Sequence, residues 1–199
     1  ATGNAPIPML LTYRTKAKIY GIEIQKEIYD LGVKSIIVNH MDKQIEIIND
    51  DAKNACILFG DDYFDIITCN PPYFSTSNVL FENDNLVKAT ARHEKFLNIN
   101  DVFVISKRLL KTNGRLAIVH RTDRFIEIVD MAKKYGFSIK KVRFIYPKVG
   151  KNSDLVLIEC TKNGKNGLKL LSPLFVYDED GNYNSEIKMM FGDDTNDTK

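Results

Sequence analysis

The ten residues Asp65-Ile66-Ile67-Thr68-Cys69-Asn70-Pro71-Pro72-Tyr73-Phe74 constrain this chain more than any other stretch. A short apolar run bounded by acidic sequence predicts a buried strand. It stops at Asn-Pro-Pro-Tyr, which neither continues a strand nor starts a helix, because each proline lacks an N–H and holds φ near about −65°. The strand therefore ends in a stiff corner at Asn70. In open α/β sheets ligands bind at the carboxyl ends of strands, so the corner is also a candidate site.

Its chemistry follows from its parts. The Asn70 side chain and the Pro71 carbonyl are two acceptors on a backbone with little freedom to relax. Two fixed acceptors match a planar NH2 group, on adenine or on an amide, whose lone pair is delocalised. Accepting both hydrogens concentrates density on nitrogen as a carbon electrophile approaches, which is electrostatic preorganisation rather than general base catalysis. Pro72 completes the corner, and the rings of Tyr73 and Phe74 would stack on a flat substrate, worth roughly 1–3 kcal/mol per base. The competing reading is a polyproline turn with no chemistry.

The rest of the chain predicts an α/β domain. At 199 residues and 44% hydrophobic, it is large enough to bury roughly 70% of its unfolded surface. Residues 1–160 are expected to form the main domain, with 161–199 an extension packed on it. Cys56, Cys69 and Cys160 are odd in number and far apart, without a CxxC pair; a cytoplasmic location and no metal site are expected. No run of 18 apolar residues suggests a membrane span. The net charge of +2 names no partner. Basic residues do gather in the second half, among them Lys107, Arg121, Arg124, Lys148 and Lys151, and they suit either a solvated surface or a nucleic-acid footprint.

In order, Ala1-Thr2-Gly3-Asn4-Ala5-Pro6 reads as the end of a glycine-rich strand-to-helix turn whose preceding strand is absent from this chain; an ordinary tail before a helix is the alternative. Ala17–Ile24 predicts a strand ending in Glu23, about 20 positions after Gly3. A carboxylate at that spacing accepts from ribose hydroxyls in nucleoside-binding folds, with Ile24 beside it. Helix 25–39 and strand 44–49 lead to Asp51 and Ala52, which suit an adenine amino group and ring nitrogen, or for Asp51 a helix cap. Residues 75–100 form a long loop carrying Arg92 and His93, for substrate phosphates or a local salt bridge. Asn100 is expected to cap a helix to Lys111, and Gly114 to close it. Strand 115–120 follows, Thr122 caps helix 123–135, and strands 139–146 and 154–160 pair antiparallel across a short link. A further strand over 168–177 and a helix over 185–191 end the pattern.

This arrangement resembles the class I S-adenosylmethionine-dependent methyltransferases, which implies a Rossmann-like, mostly parallel seven-stranded sheet with an antiparallel last strand. Asn70-Pro71-Pro72-Tyr73 is similar to the motif of amino-group methyltransferases. With Ala91-Arg92-His93-Glu94, Val119-His120-Arg121 and Pro173-Leu174-Phe175-Val176-Tyr177, the chain resembles the bacterial enzymes that methylate adenine N6 in the anticodon loop of valine tRNA. The resemblance implies S-adenosylmethionine as cofactor, held by Gly3, Asn4, Ala5, Glu23, Ile24, Asp51, Ala52 and Asn70. It also implies a tRNA substrate, held by Tyr73, Phe74, Arg92, His93, Arg121 and Lys148, and a monomer without metal or membrane. Ala5 stands where the family usually has glycine. A protein glutamine methyltransferase and a non-catalytic RNA-binding module remain alternatives.

Overall fold

The computed structural model describes residues 1–71 and 97–191. In chain order these form helix α1 (Pro6–Thr12), strand β1 (Ile19–Ile22), α2 (Lys26–Val38), β2 (Ile45–Ile48), α3 (Ala55–Phe59), β3 (Phe64–Cys69), α4 (Ile99–Leu109), β4 (Leu110–Arg121), α5 (Phe125–Lys134), β5 (Phe137–Tyr146), β6 (Leu155–Lys162), β7 (Lys169–Leu170), β8 (Leu174–Phe175) and α6 (Ser185–Phe191). The expected alternation is present, but it builds two sheets. β1 and β2 pair in parallel, while a six-stranded sheet runs β3-β4-β6-β5-β7 with β8 also on β5.

Strand direction decides where a site can sit. β3 and β4 are parallel, and β6 runs antiparallel to both β4 and β5. Hence β3, β4 and β5 point the same way, and their carboxyl ends share one edge. The antiparallel pair expected from the short link is β5 and β6.

Alternation along β4 and β6 puts Leu116, Ile118, Val156, Ile158 and Cys160 inside, none more than 2% exposed. They pack with Val102 and Phe103 of α4 and Ile128 and Ala132 of α5. Fully burying a side chain the size of leucine or isoleucine contributes roughly 1.5–3 kcal/mol, so this layer anchors the fold. Around the smaller sheet the buried apolar residues are Ala5, Ile36, Ile45 and Ile47.

Local details differ from expectation for physical reasons. The cap of α4 is Asn98, not Asn100: its Oδ1 accepts from the Asp101 N–H at 2.9 Å while Asp101 accepts from the Asn98 N–H at 3.3 Å, a reciprocal capping box. Asn100 instead accepts from the Tyr135 hydroxyl at 2.6 Å. Gly114 does not close the helix, because the chain enters β4 at Leu110 and Gly114 lies within that strand. Thr122 begins a 3-10 turn, and its hydroxyl pairs with Ser153 Oγ at 3.0 Å rather than capping α5. The strand expected over 168–177 is two short pieces, β7 and β8, with Pro173 between them.

Between β1 and β3 lies a cavity of about 470 Å³. Ile7, Pro8 and Leu11 of α1 line it from one side, and Ala55, Val102 and Ile105 from α3 and α4. On the β3 wall Ile66 is 48% exposed although its strand is flanked by helices.

Candidate active site

At the carboxyl edge three chain segments border the cavity. Ala1, Thr2, Ala52 and Asn70 all line it. The Ala1 amine and the Thr2 N–H both donate to the Ile22 carbonyl, at 2.8 and 3.0 Å, which fixes the first loop to the end of β1.

That loop is held by Glu23, 3% exposed. One carboxylate oxygen accepts from the Gly3 N–H at 2.8 Å and the other from the Gln25 N–H at 3.0 Å. Charge-assisted bonds of this kind are short and strong, and each oxygen retains a second lone pair. Glu23 therefore positions the glycine turn, and the cavity reaches Ile22 but not Glu23 itself. Asn49, which sequence reasoning passed over, donates to the Glu23 and Ile24 carbonyls at 2.8 and 3.3 Å. A side-chain amide at a strand end was the feature that pointed to it.

The loop also needs room. Gly3 has φ +63°, and Ala5 has φ +70° while fully buried; the left-handed region costs a residue with a Cβ roughly 1–2 kcal/mol. Gly32 of α2 explains itself here: a Cβ on it would come within 2.9 Å of Ile47 Cδ1 and 3.3 Å of the Gly3 carbonyl oxygen. Its absence lets α2 press against the turn. Asp51 is the cap of the 3-10 turn Ala52–Asn54, accepting from the Lys53 N–H at 2.9 Å. Asp50 accepts from the Asp51 N–H at 2.7 Å and from Asn54 at 2.8 Å.

At the end of β3, Asn70 is exposed and Pro71 is buried. The neighbouring Cys69 thiol is pushed up to about 11 by burial. It is a packing group, not a nucleophile. Pro72, Tyr73, Phe74, Arg92 and His93 lie outside the described residues.

One strand over, the pairing Cys69↔Ile118 places His120 two residues further along the same edge. His120 is 3% exposed, and its Nδ1 accepts from the Arg121 N–H at 2.9 Å. Burial, and then the charge of Arg124, hold its pKa below the ordinary value, so it is neutral at pH 7. Arg121 itself is paired with Asp123 at 2.7 Å, and Arg124 with Glu127. Lys148 stands exposed in the β5–β6 loop on the same edge. Among the described residues, no group of His, Cys, Asp and Glu suits a metal ion.

A parallel α/β unit with a glycine turn, a buried acid after the next strand and a stiff amide corner on one edge defines a class I S-adenosylmethionine-dependent methyltransferase. Solved structures agree on the fold. The chain is similar to a predicted O-methyltransferase from Agrobacterium tumefaciens, with TM-score 0.74 and 17% identity over 96% of this chain and 86% of that one. It is also similar to geranyl diphosphate methyltransferase in complex with S-adenosylmethionine, with TM-score 0.60 and 12% identity over 81% and 75% of the two chains.

The sequence model of the family described as N-6 DNA Methylase matches residues 11–129, and the chain belongs to that family of S-adenosylmethionine-dependent N6-adenine methyltransferases. Among its relatives is the tRNA1(Val) (adenine(37)-N6)-methyltransferase of Phocaeicola vulgatus, 24% identical over 79% of this chain and 64% of the relative. The protein of the same name from Porphyromonas gingivalis is 28% identical over 67% and 52%. The chain thus spans less than two thirds of the length of these relatives. No helix among the described residues is long and apolar enough to cross a membrane.

Proposed function

We propose that this chain transfers a methyl group from S-adenosylmethionine to the exocyclic N6 of an adenine in tRNA. The observation that carries the reading is that Asn70, Ala52 and the Ala1–Thr2 segment leading into the Glu23-anchored Gly3 turn line one cavity. The donor supplies an electrophilic sulfonium methyl.

The residues divide the work. Gly3, Asn4 and Ala5 bring backbone close to the donor, and the buried Glu23, with Ile24 beside it, presents its spare lone pairs to ribose hydroxyls. Asp51 and Ala52 take the adenine of the donor, Asp51 with the carboxylate oxygen its cap leaves over. Asn70 and the Pro71 carbonyl accept the two hydrogens of the target amine and hold its nitrogen in line with the methyl carbon, with Pro72 and Tyr73 completing the corner. Held by these residues, the donor would supply the methyl group, its sulfur keeping the electron pair of the carbon–sulfur bond, and the amine held by Asn70 and Pro71 would release its proton to water. His120 is neutral, buried and bonded at Nδ1 by the Arg121 N–H, and no base is needed. Tyr73 and Phe74 stack on the flipped base, while Arg92, His93, Arg121 and Lys148 hold the RNA backbone.

The same reading takes residues 1–160, which hold β1 to β5 and nearly all of β6, as the catalytic domain, with 161–199 an extension on β5. We infer that the cavity between β1 and β3 has the place and the apolar flanks of a further parallel strand. Apolar helices on both faces are what a central parallel strand requires, and such a strand would end at Ile22, where Ala1 and Thr2 are bonded. Extending the chain ahead of Ala1 with the strand should protect further β1 and β3 amides from hydrogen exchange. Unchanged protection would count against it.

The function is tested by incubating the protein with labelled donor and unmodified tRNA, DNA or total protein, then analysing nucleosides and amino acids by mass spectrometry. N6-methyladenosine in tRNA is expected. Label in N5-methylglutamine would favour the protein substrate, and donor-independent RNA binding with no transfer would favour a binding module.

A further inference from the structure

The carboxyl edge carries a second groove, separate from the cavity at Asn70. It is about 530 Å³ and is lined by Pro147, Lys148, Lys151, Asn152, Asp154 and Tyr177. The topology puts it on the substrate side. β8 is parallel to β5, and the Tyr177 N–H donates to the Pro147 carbonyl at 2.9 Å, so Tyr177 continues past the end of β5. The Thr122 N–H donates to the Asp154 carbonyl at 3.0 Å, tying the groove's loop to the end of β4.

Two features of the groove go unused by the fold. Arg121, Arg124 and Arg143 are each ion-paired, whereas Lys148 and Lys151 are exposed and have no ion pair among the described residues. Tyr177 and Tyr183 stack on one another with centroids 5.3 Å apart and planes at 16°, yet remain 40% and 49% exposed. The turn between them is acidic, with Asp178 accepting from the Asn182 N–H at 2.9 Å and Glu179 and Asp180 beyond it. With Asp154 in the lining, the groove is not a uniform anion sink. It pairs cationic groups with an aromatic face, which matches a nucleotide's phosphate and base.

We infer that this groove is an RNA subsite, taking one nucleotide several positions along the strand from the target, with its base on Tyr177 and its phosphate against Lys148 and Lys151. The inference rests on the tRNA reading above and gives it a length. From β3 to β8 there are four interstrand steps, about 19 Å at ~4.8 Å each. A stacked strand has one phosphate per ~3.4 Å, so the subsite holds a nucleotide on the order of five positions from the methylated one.

The test is filter binding of unmodified tRNA across a salt series, alongside methyl transfer. Lys148→Ala with Lys151→Ala should reduce the magnitude of the log–log salt slope by about 0.7 and weaken binding roughly fourfold at 0.15 M salt, from ~0.7 per lost phosphate contact. Tyr177→Ala should weaken binding at least several-fold, and Tyr177→Phe should restore it. A trinucleotide centred on the target adenine, too short to span the distance, should bind all variants alike. If tRNA is methylated and the variants keep the parental slope and affinity, the subsite is refuted and the tRNA reading stands. If the parent neither binds nor methylates tRNA, both fall.

Discussion

The two sheets border one cavity, but they are held together differently. β4 and β6 pair over seven residues in register, and their inward side chains form a continuous layer under α4 and α5. β1 and β2 are four residues each, pair only with one another, and bury Ile45 and Ile47 against α2 and the first loop. A two-stranded sheet is marginal alone, so the smaller unit draws its stability from α1, α2 and the Glu23-anchored turn. On the proposed reading the difference divides the labour: the larger sheet presents Asn70, which would hold the amine in line, and the lighter unit presents the turn that would receive the donor.

The sharpest way to break this division is to separate rate from binding. Asn70→Ala should reduce methyl transfer by ~100-fold or more, by analogy with removal of one preorganised group, while donor affinity measured by calorimetry stays near the parental value. Glu23→Ala should do the reverse at the other wall. With Gly3 and Gln25 N–H groups left without their carboxylate, donor affinity should fall at least tenfold, and urea unfolding should show a loss of roughly 1–3 kcal/mol. Equal effects on both quantities from both variants would erase the distinction.

Packing gives the next test. Gly32→Val places methyl groups against Ile47 and the Gly3 carbonyl oxygen, and overpacking of this kind costs typically ~1–3 kcal/mol. Hydrogen exchange should rise first in β1, β2 and α2, leaving β4 and β6 protected. Thiol labelling reads the same contrast more gently. Burial pushes Cys160 in β6 up to about 12, so it should resist a thiol reagent at pH 8, while the partly exposed Cys56 and Cys69 label before it.

The smallest effects lie at the periphery. The bidentate bond from Arg143 holds the Glu186 carboxyl below its ordinary value of 4.5. A depressed carboxylate stabilises the fold above that value and loses its contribution as pH falls below it. Because Glu186 is 42% exposed, solvent screening keeps the effect modest, visible as faster exchange in α6 under acid before β5 is affected. Ala5→Gly removes the left-handed strain but also a fully buried methyl, and the two terms nearly offset, within about 1 kcal/mol by urea titration.

What could be read from residue chemistry was local or set by a strand end: the Asp51 cap depends on adjacent residues, and the Gly3–Glu23 contact joins a glycine turn to the acid that follows the next strand. What could not be read depends on competition between neighbours. Asn98 and Asn100 are equally good caps in isolation, and only the reciprocal bond with Asp101 chooses Asn98. Thr122 looks like a cap until Ser153, far along the chain, takes its hydroxyl. Gly114 suggests a helix end, yet Asn113 beside it, at φ +65°, bends within β4. The Tyr177–Tyr183 pair is hidden for the same reason: only the turn between them brings the rings together.

The most direct test of the account is a structure of the protein with S-adenosylhomocysteine bound. The nucleoside should lie at the cavity mouth between the Gly3 turn and Ala52, its ribose within hydrogen-bond distance of Glu23 and its sulfur facing Asn70. A nucleoside bound elsewhere, or an Asn70 amide turned away from the sulfur, would contradict the assignment of that corner as the seat of methyl transfer.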